Sequence, residues 1–227
     1  MTSLDSYAKP SVAVDLAIMT VQDGALKILL LERSATVPDD GTSGWAMPGG
    51  FVHIGEPLEG TVSRVLQGKV GRADIHFEQL ATYGAVDRDP RGRVISIVYL
   101  ALCPAHLVQD AELAEVHLAP EGHARTARAV AADGPLDLAF DHAQILADVV
   151  HRLRGKLDYT GIAYAFLPPK FTLRDVQQVH EAILGKTLNK PPFRRKVLDR
   201  GMIVPTGEFE TGGAYRPAEL YTTKPEE

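Results

Sequence analysis

The sequence predicts an α/β body followed by a small unit of helix, turn, helix and hairpin, and three observations carry that expectation. Strand-like and helix-like segments alternate up to about residue 157, Leu167-Pro168-Pro169-Lys170 then interrupts the chain, and the charge changes sign across the interruption. Residues 1–169 hold 14 basic and 21 acidic side chains, whereas Lys170 to Gly201 holds eight basic against three acidic, inside a chain of net charge −5. Such asymmetry points to two parts with different partners, with a solvated basic helix as the plainer alternative. A length of 227 residues suits one medium domain and one small one. With 45% hydrophobic and 23% charged residues the chain is neither disordered, collagen-like nor a coiled coil.

In chain order, Val12 to Val21 and Leu26 to Leu31 read as strands, and Asp23-Gly24 between them marks a tight hairpin. Gly41 to Gly50 is Gly/Pro punctuation, and Pro57 to Gly68 fits a helix. Val94 to Leu102 is rich in β-branched residues and long enough to be a central strand buried on both faces. Asp141 to Leu157 fits a helix with Asp141 as N-cap and Ile145, Val149 and Leu153 on one stripe. After the prolines, Thr172 and Asp175 approach a capping box, Leu173, Val176, Val179 and Ile183 form an apolar stripe, and Gly185 ends the helix. Pro191 to Arg200 fits a second helix with Phe193, Val197 and Leu198 inward. Met202 to Pro205 and Ala218 to Thr222 flank a Gly-rich tip at Thr206 to Pro217. That order is the order of a winged helix-turn-helix.

The longest apolar run, Val94 to Cys103, is ten residues with Ser96 inside it, against the roughly 20 needed to cross a bilayer. The polar segment Met1 to Pro10 lacks the basic start and apolar stretch of a secretory signal. No membrane partner and a cytoplasmic location are expected, with Cys103 as a packed thiol.

The segment Trp45-Ala-Met-Pro-Gly-Gly-Phe-Val-His-Ile-Gly-Glu56, continued in register at Arg64 and Gly71, resembles a Nudix box. The resemblance implies an α/β/α sandwich with a mixed sheet, and in the hydrolases the box's glutamates hold magnesium against a nucleoside diphosphate-linked substrate. Here the positions of those glutamates carry Val65, Gly68 and Lys69, which can neither ligate Mg²⁺ nor take a proton at neutral pH. No catalytic residue, metal ligand or cofactor is therefore expected, although Glu56 and Glu59 could hold a weak residual metal. A pocket remains: Gly49 and Gly50 let backbone approach an anion, and Trp45 either stacks on a ligand or fills the core. The turn carrying Arg88, Arg91 and Arg93 can fork onto phosphate oxygens, and similar turns occur in Nudix proteins that handle ADP-ribose. Asp141-His142 could suggest a catalytic dyad, but an N-cap followed by a residue of the first helical turn accounts for it better.

In the basic unit, Arg195 and Asp199 lie nearly opposite Phe193 on the second helix while Lys190 and Arg194 project from the flank, with Lys186, Thr187 and Asn189 ahead of it and Lys196 within it. Such a helix would enter a DNA groove, and Arg216 at the wing tip would reach the minor groove. Arg195 and Asp199 are also spaced for an internal ion pair. Taken together, Trp45 to Glu56, Arg88 to Arg91, Leu138 to His142, Phe171-Thr-Leu, Glu181 to Gly185 and Phe193-Arg-Arg-Lys196 resemble the NrtR family of Nudix-related transcriptional regulators. The resemblance implies a Nudix-like sensing domain at 1–155, a linker at 156–169 and a winged helix-turn-helix at 170–227. It further implies a homodimeric repressor of NAD biosynthesis or salvage genes that binds a palindromic operator and is released by ADP-ribose or a related nucleotide. The expected effector site is Trp45, Gly49, Gly50, Glu56, Arg64, Arg88 and Arg91. An active pyrophosphohydrolase, a regulator of sugar metabolism and a protein-interaction adaptor are the rival readings.

Overall fold

The computed structural model describes residues 6–33, 44–71, 75–109, 111–118, 126–210 and 217–225. Strand β1 (Ser11–Gln22) turns into β2 (Ala25–Leu29) through Asp23 and Gly24, both at positive φ (55° and 77°), the geometry that matches the twist of a two-residue hairpin. The short pair β3 (Leu31–Glu32) and β4 (Trp45–Ala46) leads to β5 (Gly49–Phe51) and helix α1 (Leu58–Val70). Strands β6 (His76–Tyr83), β7 (Val94–Leu102), β8 (Leu113–Leu118), β9 (Ala127–Ala131) and β10 (Gly134–Pro135) follow, then helix α2 (His142–Lys156). Seven strands run in the order β10-β9-β8-β2-β1-β7-β6, with β5 paired to the start of β1. The sheet is mixed, because β1 and β7 are parallel while their other neighbours are antiparallel.

Alternation along β1 explains the layers. Leu16 and Ile18 pack with Val62, Val65 and Leu66 of α1 on one face, while Ala17 and Met19 pack with Ile145, Val149 and Leu153 of α2 on the other. Cys103 is buried in the α1-side core, and burial pushes its thiol up to about 12. Among the described residues no helix is long and apolar enough to cross a membrane.

The winged unit contains α3 (Leu173–Leu184), α4 (Lys190–Asp199), β11 (Ile203–Phe209) and β12 (Glu219–Thr223). The Thr172 and Asp175 capping box forms in both directions, and Gly185 closes α3 at φ 70°. Phe171, Val176, Phe193, Val197, Ile203 and Tyr221 make a small core of their own. The apolar stripe of α3 nevertheless serves two cores: Val176 faces the winged unit, while Val179, Ala182 and Ile183 join the α2-side core of the body. The expected linker is packed as well, since its 3-10 turn (Ile162–Phe166) buries Ile162, Ala163 and Phe166 in that same core.

Several boundaries differ from expectation. Helix α1 runs through Gly68 to Val70 and stops at Gly71 (φ 72°). Asp141 stands at the N-cap of α2 but makes no side-chain capping bond, because Arg88 engages its carboxylate. Helix α4 starts at Lys190, one residue before the proline pair, and Leu198 is 44% exposed instead of inward. Thr206 to Phe209, expected in the wing tip, extend β11.

Because α3 is shared, Ile183→Ala should destabilise the body and winged unit together by about 2–5 kcal/mol. Calorimetry should show a single unfolding transition moving down, whereas two transitions with one unmoved would contradict a common core.

Candidate functional site

Five chain segments meet at the N-terminal end of β1 around a cavity of about 270 Å³. Ala13 and Asp15 of β1 form its floor, Met47 and Gly49 to Phe51 one wall, Arg88 to Arg91 another, and Arg33, Phe140 and His142 the remainder. Close pairing of β5 with β1 requires a glycine at 49, where a Cβ would stand 2.8 Å from the Val14 carbonyl oxygen and still nearer the Asp15 carboxylate.

A buried polar network underlies this cavity. The Arg88 side chain is 4% exposed, and its guanidinium donates to both Asp141 carboxylate oxygens at 2.9 and 2.6 Å and lies 3.6 Å from Asp15. The Ser96 hydroxyl donates to Asp15 at 2.5 Å. His142 accepts the Met47 backbone N–H at Nδ1 (3.0 Å), which places its proton on Nε2, 3.8 Å from Asp15. Burial opposes ionisation of Asp15 but is outweighed by His142, Ser96 and Arg88, so its carboxyl sits below the usual carboxylate range.

The mouth is framed by an aromatic ring between two cations. Phe140 adopts φ 57°, a left-handed conformation that costs a non-glycine residue energy and persists where surroundings enforce it. Arg33 lies 4.9 Å and Arg91 5.3 Å from its ring centre, and Arg91 is also held by Asp89 at 2.9 and 2.7 Å.

The expected effector residues divide accordingly. Gly49, Gly50, Arg88 and Arg91 line the cavity; Trp45, Glu56 and Arg64 do not. Trp45 pairs with Leu138 and packs against the α2-side core. The Glu56 carboxylate accepts from Arg64 Nε and Nη2 (both 2.9 Å), the Thr61 hydroxyl and the His53 N–H, and Arg64 above all holds it well below the usual carboxylate range. Since Arg64 also donates to the Phe51 carbonyl, this pair ties β5 to α1. Sequence reasoning did not place Asp15, Arg33, Phe140 or His142 in the site, since His142 reads there as a residue of the first helical turn. The signal for Asp15 was a lone acid inside an apolar strand, and that for the last two was their place in Leu138 to His142.

On the winged unit, Lys186, Thr187, Asn189, Lys190, Arg194 and Arg195 are exposed. Lys190, Arg194 and Arg195 have no ion-pair partner among the described residues, so the expected alternative of an Arg195–Asp199 pair is not formed. Lys196 is exposed as well and pairs with Asp158 at 2.7 Å. Beside it Arg200 donates to the Leu157 and Thr160 carbonyls at 2.8 and 2.7 Å, and Arg154 of α2 donates to the Ile183 and Leu184 carbonyls at the end of α3. Arg216 lies outside the described residues.

A mixed sheet sandwiched by helices, with an arginine-lined cavity after a Nudix-type loop and helix, defines a Nudix domain carrying a winged helix. Comparison with known proteins agrees: residues 9–148 match the NUDIX domain model and residues 163–223 the NrtR DNA-binding winged helix domain model. The chain belongs to the NrtR family. It is 36% identical over 219 residues to the ADPR responsive transcriptional repressor NtrR of Acinetobacter baylyi, covering 95% of this chain and 82% of that protein. It is 34% identical over 155 residues to the ADP-ribose pyrophosphatase of Methanocaldococcus jannaschii, covering 66% of this chain and 78% of the enzyme. Among solved structures it resembles Shewanella oneidensis NrtR complexed with a 27mer DNA (TM-score 0.75, 32% identity, 94% and 93% of the two chains covered) and the same protein solved alone (TM-score 0.73, 33% identity, 94% of each).

Arg88→Ala should cost about 3–5 kcal/mol, because it leaves two neighbouring carboxylates without their cation. The acid limb of stability should report Asp15. Its folded pKa lies below the unfolded value of about 3.9, so its contribution is complete above that pH and is lost as pH falls through the folded value. Urea midpoints between pH 7 and 3 should therefore fall less steeply at the acid end in Asp15→Asn than in the parent; parallel curves would contradict the assignment.

Proposed function

We propose that this chain is a transcriptional repressor that binds duplex DNA through α4 and its wing, senses ADP-ribose in the Nudix cavity, and does not cleave it. The observation that carries this reading is the exposed trio Lys190, Arg194 and Arg195, which form no ion pair among the described residues, on a helix anchored by Phe193 and Val197. Cations on one side of a rigid helix suit phosphate and base edges. The ADPR responsive repressor of Acinetobacter baylyi and the Shewanella oneidensis protein solved with a 27mer DNA support the same reading.

In the cavity, Arg33, Arg88 and Arg91 can engage a diphosphate, and the Phe140 ring offers an apolar surface between two of them. The Nudix fold implies a magnesium ion for hydrolysis, and the residues present do not fit one. Val65 is buried in the α1-side core, Gly68 has no side chain, Lys69 is a cation, and Glu56 is engaged by Arg64. Sensing without cleavage follows. Operation as a homodimer on a palindromic operator of NAD-metabolism genes is part of the same proposal, since paired winged units read two half-sites one helical turn apart.

Incubation with ADP-ribose and Mg²⁺ should yield no AMP and ribose 5-phosphate; steady turnover would favour the pyrophosphohydrolase reading that the archaeal relative represents. Arg194→Ala and Arg195→Ala should each weaken operator binding by about 1–3 kcal/mol and flatten its salt dependence, with thermal stability unchanged. Undiminished DNA binding by the double variant would remove α4 from the interface.

A further inference from the structure

A second cavity, of about 390 Å³, lies where the body meets the winged unit, between the end of α2, α3 and the inner side of α4. It shares no lining residue with the Nudix cavity. Its size falls within the roughly 300–1,000 Å³ of small-molecule sites, which favour domain interfaces. Leu157, Leu184 and Phe193 give it an apolar side, and Arg154, Lys186 and Arg200 bring positive charge to it.

His180 supplies the directional group. The residue is 8% exposed, and its ring is set edge-on to Phe193 with centroids 5.0 Å apart. Its Nδ1 lies 2.8 Å from the Val176 carbonyl oxygen, which can only accept, so the proton resides on Nδ1 and Nε2 is left as an acceptor. Among the described residues nothing hydrogen-bonds to that Nε2, and the ring forms part of the cavity wall. Burial, with Arg200 and Lys196 nearby, keeps the imidazole below its ordinary range and so neutral at physiological pH. That acceptor opens to the cavity and is not sealed from solvent, so a ligand N–H or O–H can take the place of the water that reaches it.

We infer that this cavity is a second ligand site, for a small aromatic anion that donates an N–H or O–H to His180 Nε2, seats its ring among Leu157, Leu184 and Phe193, and directs its negative group to Arg154 and Lys186. Adenosine monophosphate has all three features: an exocyclic amine, a flat heteroaromatic ring and a dianionic phosphate. The Nudix cavity takes no part in this assignment. Pro192, Phe193, Lys196 and Val197 of α4 all line the site, so an occupant that prefers one placement of α4 alters its partner affinity by the same factor.

The test is calorimetric titration of the full chain with AMP in the absence of DNA. One saturable AMP site per chain is expected to survive Arg91→Ala, which perturbs the Nudix cavity. The same site should weaken tenfold or more in His180→Phe, which keeps the ring and removes the acceptor, and in the exposed rim variant Lys186→Glu, with circular dichroism and an unchanged melting temperature showing that each variant is folded. Absence of a saturable site at millimolar AMP overturns the inference, as does a site that Arg91→Ala abolishes and Lys186→Glu leaves intact.

Discussion

A guanidinium withdrawn from water at Arg88 sets the terms for the rest of the body. Removing such a charge from solvent is expensive, and the structure offsets that cost with a bidentate Asp141 and a second carboxylate at Asp15. Those partners come from the start of α2 and the middle of β1, so one cation fixes the relative placement of three distant segments. The cavity above it inherits that rigidity, and two of the guanidiniums in its walls, Arg88 and Arg91, are already held by acids. A phosphate entering there competes with carboxylates for donors that are already oriented.

Helix α2 reaches from this network to the DNA-binding unit. Asp141 precedes its first residue, and its 15 residues extend about 22 Å at 1.5 Å per residue. At the far end Arg154 caps α3, and the Leu157 carbonyl just beyond the helix is gripped by Arg200, immediately after α4. Lys196 and Asp158 add a second tie across the same junction. Together with the core shared by α2 and α3, these contacts leave no slack segment between the two parts, so a change in how Asp141 is held has a continuous physical route to the recognition helix.

Local chemistry made much of this legible in the sequence. Asp23-Gly24 specified its hairpin, the apolar run at Val94 specified a central strand, and Thr172, Asp175 and Gly185 bounded α3, because in each case neighbouring residues alone decide the backbone. The winged order followed from the succession of helix, turn, helix and hairpin, and the Nudix-type loop from the resemblance of Trp45 to Glu56 to a Nudix box. What stayed hidden depended on contacts between remote residues. Asp141 looked like a cap because its true partner, Arg88, is 53 residues away. Glu56 and Arg64 looked like ligand contacts, yet they bond each other across the start of α1. Lys196 carried the charge of a DNA contact, but only the fold brings Asp158 to it. Strands β6 and β8 to β10 were not recognised, since their short, mixed polar and apolar segments give weak periodicity.

The central claim is that the Nudix cavity and α4 report to one another. Its most direct test is the affinity of the protein for ADP-ribose, measured once free and once saturated with operator duplex. Reciprocal linkage predicts that DNA weakens ADP-ribose binding by the factor by which ADP-ribose weakens DNA binding, about 5 to 150-fold. Equal ADP-ribose affinity in the two states would contradict the account.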